Sequence, residues 1–251
     1  MIFDTHAHLD DPLLLPDVDD VLTRAREAGV AYINSVGCDW QTSLTNVKLA
    51  EKYNDMVYAT VGIHPQEVED ATDQQLADLV ELASRPRVIA WGEIGLDYHY
   101  DTPTREMQKL FLRKQIDLAK AAKKPLVIHD RDSHQDILNI LKEENAGING
   151  GILHCFSGSW EMAKECLARG FMISFAGPLT FKNAKTPVEV ARKVPLDMLL
   201  VETDSPYLAP EPNRGTRNDS RNLKYLVEKI AQVKQIEPEE IAEITYNNWK
   251  F

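Results

Sequence analysis

Cysteine is scarce: three in 251 residues (Cys38, Cys155 and Cys166), with no C-x-x-C pair. An odd number without paired spacing argues against a disulfide framework and against a thiolate zinc site. Reduced, mostly buried thiols are the expectation. Long apolar runs are missing too; none approaches the ~20 residues that a membrane span needs. The opening MIFDTHAHLDD is acidic where a secretory signal is basic and then apolar. These features predict a cytoplasmic protein without a membrane partner. Gly-, Ser- or Pro-rich linkers and internal repeats are absent as well, so residues 1–251 are expected to form one domain. A basic surplus is lacking: 28 Lys and Arg stand against 39 Asp and Glu, for a net charge of −11. Residues 1–100 hold 18 acids and 6 bases, net −12; residues 101–251 hold 21 and 22, net +1. An acidic front half repels phosphate backbones. Any handling of nucleic acid would need bound cations and a few local arginines.

What is present is an alternation. Short β-branched runs at 2–5, 30–36, 57–61, 88–91, 126–128, 151–153, 171–175 and 199–202 are apolar nearly throughout, as in parallel strands buried on both faces. Amphipathic helical patterns follow them at 17–28, 42–53, 73–83, 106–123, 133–144, 160–169, 185–193 and 221–235. Eight strands, each followed by a helix, predict a closed (β/α)8 TIM barrel of the α/β class. A further C-terminal helix is expected over 237–251.

Chemistry in such a barrel collects at the carboxyl ends of its strands. The predicted strands end in Asp4-Thr5-His6-Ala7-His8, Gly62-Ile63-His64, Gly92-Glu93, His129, His154 and Glu202-Thr203-Asp204. His6 and His8, two apart on a strand, point to one face, so two imidazoles can grip one cation. Alone, each of these histidines reads as an ordinary hydrogen-bonded residue. Together His6, His8, Glu93, His129, His154 and Asp204 are hard to explain by packing, because each unsatisfied buried group costs about 1–3 kcal/mol. Six donors exceed the four of a tetrahedral ion. Two divalent ions sharing a bridging carboxylate use the set, and a pair of ions suits displacement at phosphorus. Nitrogen and oxygen ligands without thiolate admit Zn, Mn, Fe or Co, and Mg less readily.

Seven motifs in order, DTHAHLD (4–10), GIHP (62–65), GEIGLDYH (92–99), IHDRD (128–132), LHCFSGS (153–159), ETDSPYLAP (202–210) and RGTRN (214–218), give the chain a resemblance to the TatD-type metal-dependent deoxyribonucleases of the amidohydrolase superfamily. The resemblance implies a (β/α)8 barrel with His6, His8 and Asp204 on one ion, His129 and His154 on the other, and Glu93 bridging. It also implies hydrolysis of phosphodiester bonds, mostly in single-stranded DNA trimmed from the 3′ end. The chain departs from the family at Asp219-Ser220, where Glu-Pro is usual, and in its shorter ending TYNNWKF, which keeps the asparagine as Asn248.

On this reading Asp204 orients or deprotonates the attacking water, and Glu93 and His64 complete the catalytic group. Arg131, Arg214 and Arg217 are the expected phosphate contacts, with Arg221 beside them; Tyr98, His99, Tyr100 and Phe156 are candidates to stack on bases. Ser157-Gly158-Ser159 offers either an anion cradle or plain helix capping by Ser159, and capping is the simpler expectation. Two other functions fit the same chain. One is an amidohydrolase cleaving a non-nucleic-acid ester or amide; such barrels often carry a carboxylated lysine on strand 4, whereas residues 88–91 include none and Glu93 follows. The other is a non-catalytic metal-binding scaffold.

Overall fold

Strand residues that are apolar on both faces need cover on both faces, and the alternating helices supply it. The computed structural model describes residues 1–249. It has eight strands: β1 (Ile2–Ala7), β2 (Val30–Val36), β3 (Val57–Val61), β4 (Val88–Asp97), β5 (Leu126–Arg131), β6 (Gly151–Leu153), β7 (Phe171–Phe175) and β8 (Leu199–Val201). They form one sheet in the order β1 to β8, as the (β/α)8 barrel requires. The helices are α1 (Val18–Glu27), α2 (Trp40–Lys52), α3 (Asp73–Ala83), α4 (Arg105–Ala121), α5 (His134–Glu143), α6 (Trp160–Leu167), α7 (Lys185–Lys193), α8 (Leu223–Lys234) and α9 (Pro238–Asn248).

The chain divides into two compact units. One comprises residues 1–35, 154–163 and 173 onward; the other comprises residues 36–153 and 164–172. In the first unit, β1 pairs with β2 in parallel, and Ala7 bridges to Ser205 just past β8. The His8 N–H donates to the Ser205 carbonyl and the Asp204 N–H to the His6 carbonyl. This ladder fixes the end of β1 against the segment after β8. Helix α9 closes the same unit: the Asn248 amide donates to the carbonyls of Leu196 and Leu199, and Trp249 packs on Phe3 with ring centroids 4.6 Å apart.

In the second unit, β3, β4, β5 and β6 pair in sequence. Capping boxes start α2 at Asp39 and α3 at Thr72, each pairing a side-chain acceptor with the N3 residue. Trp91, fully buried, donates from its indole to Gln115, whose amide also bonds the backbone of Ile63.

Several boundaries differ from the sequence pattern. β4 runs to Asp97 rather than Trp91, and β5 to Arg131 rather than Ile128, because pairing continues through Gly95 opposite His129 and Asp97 opposite Arg131. A Cβ at Gly95 would meet the His129 carbonyl oxygen at 1.9 Å, so the glycine permits this close approach. Polar residues at the end of these strands hid their extended state. β1 likewise extends past Thr5 to Ala7, and β8 stops at Val201. α8 begins at Leu223 rather than Arg221, since Ser220–Asn222 forms a 3-10 turn in which the Asp219 carboxylate accepts the Arg221 N–H. The last two positions of the helix expected over 237–251 lie outside the described residues.

Candidate metal centre

The first unit carries one cluster, built by the ends of β1, β6 and β8. His6 and His8 present their Nε2 atoms 3.3 Å apart. Asp204 Oδ1 lies 3.8 Å from His6 Nε2 and 3.4 Å from His8 Nε2. Asp204 has φ +55°, a left-handed conformation that Asp tolerates better than most residues. His154 stacks on His6 with centroids 3.9 Å apart. Its Nδ1–H donates to Glu202 Oε1 at 3.2 Å, and that oxygen also accepts the Cys155 N–H at 2.5 Å. Glu202 is fully buried, and among the described residues its Oε2 has no hydrogen-bond partner. One ligand atom each from His6, His154 and Glu202 lie within 4.8 Å of one another, a grouping able to hold an ion.

Behind this cluster, Asp4 is fully buried; its carboxylate accepts the Thr203 N–H, the Thr203 hydroxyl and the Ser220 hydroxyl. Burial pushes its carboxyl up to about 6, against the pull of those three hydrogen bonds, and the charge of Glu202 adds to the rise. Burial also works to raise Asp204. The His8 hydrogen bond and the neighbouring imidazoles of His154, His6 and His8 outweigh it and hold that carboxyl below its usual range.

The second unit carries the other cluster, on β4, β5 and the turn after β3. Glu93, Gly95 and Asp97 share one face of β4. His129 stands in register opposite Gly95. Its Nδ1 lies 2.7 Å from Glu93 Oε1, and its Nε2–H donates to Asp97 Oδ2 at 3.1 Å. Buried Asp97 would be driven up by desolvation; hydrogen bonds from His129 and the His99 N–H, with the charges of His129 and Arg131, bring it below the usual range instead. His64 lies on the other side of Glu93, Nε2 to Oε1 3.8 Å. Its Nδ1 accepts the Gln66 N–H, which leaves the neutral ring's proton on Nε2. Ligand atoms of His64, Glu93 and His129 also lie within 4.8 Å of one another.

Both donor sets suit a divalent cation. Two ligand atoms each about 2.1 Å from an ion at the tetrahedral angle stand about 3.4 Å apart, close to the 3.3–3.8 Å among His6, His8 and Asp204. In each cluster a carboxylate orients an imidazole through its second nitrogen: Glu202 for His154, Asp97 for His129. Such outer partners fix the tautomer that faces a metal. Sequence reasoning assigns Asp97 no role beyond its place in the GEIGLDYH motif, although its spacing in Glu93-x-Gly95-x-Asp97 carries the signal.

The other singled-out residues spread out. Arg217 makes a bidentate pair with Asp17 and donates to the Leu13 carbonyl. With Arg24, Arg221 and Lys224 it lines a cavity of about 850 Å³. Arg214 lies over the Phe181 ring at 4.2 Å, and Arg131 within 5.8 Å of the exposed Tyr100 ring. Arg131 does not pair with Asp130, which accepts from Ser133 and His134. Phe156 is buried and Tyr98 is held by Asp136 and Arg105, so neither presents an open face to a base. Ser159 caps α6 by accepting the Met162 N–H.

An eight-stranded parallel barrel whose strand ends carry imidazole–carboxylate clusters belongs to the metal-dependent hydrolase class of (β/α)8 folds. The profile of a family described as TatD related DNase matches residues 3–250, and the chain belongs to that family. It is 47% identical over 250 residues to the metal-dependent hydrolase YabD of Bacillus subtilis, covering 100% of this chain and 98% of that protein. It is 39% identical over 251 residues to the metal-dependent hydrolase YcfH of Escherichia coli K12, covering 99% and 94%. The crystal structure of YjjV, a TatD homologue from Escherichia coli K12, superposes with a TM-score of 0.92 at 32% identity, covering 98% of this chain and 95% of that one. An organophosphorus hydrolase from Deinococcus radiodurans, 12% identical, shares the fold with a TM-score of 0.65 over 98% of this chain and 90% of its own.

Proposed function

We propose that the chain is a phosphodiesterase that trims single-stranded DNA from its 3′ end, with two divalent ions held by His6, His8 and Asp204 and by His129 and His154, and with Glu93 shared. The observation that supports this most is that the two imidazoles given to the second ion are each oriented by an outer carboxylate, His154 by Glu202 and His129 by Asp97. When bound, such ions supply Lewis acidity toward a phosphoryl oxygen and toward water. The protein's own groups supply the rest. Asp204, kept ionised by its imidazole neighbours, takes a proton from the attacking water as the water oxygen bonds to phosphorus. The P–O3′ bond breaks, and the departing 3′ oxygen, which accepts a hydrogen bond from the His64 Nε2–H, takes its proton from solvent water. The products are a 5′-mononucleotide and a strand shorter by one residue. Arg131 and Arg214 hold phosphates of the strand, while Arg217 fastens the loop after β1 through Asp17.

The test is a panel: a 3′-labelled single strand, a carboxyl ester and a dihydropyrimidine, each with Zn, Mn, Mg, Fe and Co. Stepwise shortening of the strand, lost in Glu93→Ala together with bound metal, is expected. Hydrolysis of the ester or the dihydropyrimidine alone would transfer the chain to the amidohydrolase reading. Glu93→Ala with two metals and full activity would overturn the site.

A further inference from the structure

Among the described residues nine large apolar side chains are exposed, and four of them, Leu13, Leu15, Tyr207 and Leu208, lie on the loops after β1 and β8. Single exposed leucines are ordinary on a protein surface; four on two adjoining loops need an explanation. These loops are also held still. The Tyr207 hydroxyl donates to Asp11, whose other oxygen accepts the Leu13 N–H. Arg217 grips the Leu13 carbonyl, and the Asn218 amide donates to the carbonyls of Tyr207 and Thr203. Leu208 is kept at φ +51°, a conformation that a leucine adopts only under constraint. The rim stands directly on the metal cluster: the Tyr207 N–H bonds the Asp204 carbonyl, and the Tyr207 ring lies 6.1 Å from that of His8.

We infer that Leu13, Tyr207 and Leu208 form a preordered apolar platform for one nucleobase, that of the terminal nucleotide being released. The inference rests on the phosphodiesterase reading above and adds how the substrate is selected. A flat aromatic group fits best because the rim is apolar, rigid and half exposed, and lies beside the acid that deprotonates water. A protein partner seated here would seal the His6–His8–Asp204 cluster from its substrate. Stacking is tolerant of base identity, so the platform selects for a base as such and not for a sequence.

Metal-loaded enzyme is mixed with a single strand carrying 2-aminopurine at its 3′ terminus on a phosphorothioate linkage that slows hydrolysis, and quenching of the 2-aminopurine is read. Hydrolysis of matched strands with a terminal base or a terminal abasic site is measured in parallel. The wild type and Tyr207→Phe are expected to quench the fluorophore and to prefer the base-bearing strand by about tenfold, mostly in KM, within the range of one stacked base. Tyr207→Ser and Leu13→Ser are expected to lose both effects. Leu208→Gly, which relieves the positive φ while removing the side chain, gives a third variant that is expected to fold. Equal quenching across all variants, or equal cleavage of base-bearing and abasic strands by the wild type, would overturn the inference. If the wild type cleaves neither strand, the phosphodiesterase reading fails. Quenching then decides alone: its loss in Tyr207→Ser upholds a base platform, and its persistence removes it.

Discussion

Glu202 shows at the scale of one residue how a buried acid can serve a site without facing solvent. Its Oε1 satisfies both the His154 Nδ1–H and the Cys155 N–H, and its carboxylate lies within 4.8 Å of ligand atoms of His6 and His154. Glu202→Gln keeps the shape and removes the charge. Metal affinity should fall by about 10- to 100-fold, the usual effect of losing an outer carboxylate, with the far-UV spectrum unchanged; metal titration calorimetry reads it. Asp4 poses a stability question instead. Asp4→Ala strands the Thr203 N–H and the Ser220 hydroxyl in a fully buried setting. At about 1–3 kcal/mol per stranded group, urea unfolding should show a loss of at least ~2 kcal/mol. Ser220 is one of the two departures from the usual Glu-Pro pair. A proline there has no hydroxyl to give Asp4, so Ser220→Pro tests the same bond by another route and should also destabilise.

Among the elements, α5 carries a proton-dependent fastening. His134 at its first turn donates from Nδ1 to Asp130 at the end of β5, 2.7 Å away. That hydrogen bond, with the charges of Asp130 and Asp132, raises the imidazole above its unfolded value of 6.5. A group with a raised folded pKa adds stability in full below its unfolded pKa and loses it as pH rises through the folded one. His134→Ala should therefore lower the urea midpoint at pH 5.5, and the gap from the wild type should close by pH 9. A gap independent of pH would show that packing, not the ion pair, is at stake. Element types were legible in the sequence because buried parallel strands are apolar throughout and the helices are amphipathic. The same rule concealed the ends of β4 and β5, where Asp97, His129 and Arg131 look like loop residues although their backbones pair. The strand-end groups of imidazoles and carboxylates were legible because H-x-H and strand-end acids have no packing use. Asp97 and the Leu13–Tyr207–Leu208 rim were not: one acts through His129, and the other depends on hydrogen bonds between residues about 200 positions apart.

For the whole molecule the governing quantity is charge. A chain with net charge −11, carrying −12 within its first hundred residues, gathers Glu93, Asp97, Glu202 and Asp204 into buried or nearly buried sites. Divalent ions bound to the folded chain and not to the unfolded one stabilise it by about 4 kcal/mol at a thousand times Kd. For a chain of this size each kcal/mol moves Tm by about 2–4 °C. Removing metal with EDTA should therefore lower Tm by about 10 °C, and a stoichiometric metal readdition should restore it. Added NaCl should recover only part of the loss, because salt screens exposed charges well and buried ones poorly. Calorimetry that finds the same Tm with and without metal would mean that neither cluster binds an ion tightly enough to matter. The same acidic surface bears on substrate. With Arg131 and Arg214 as the two phosphate contacts, log K against log salt for a single strand should slope near −1.4, about −0.7 per contact, and Arg214→Ala should halve it. A slope several times steeper would require more cations along the strand than these two, and the Arg24, Arg217, Arg221 and Lys224 cavity would be the first place to look for them.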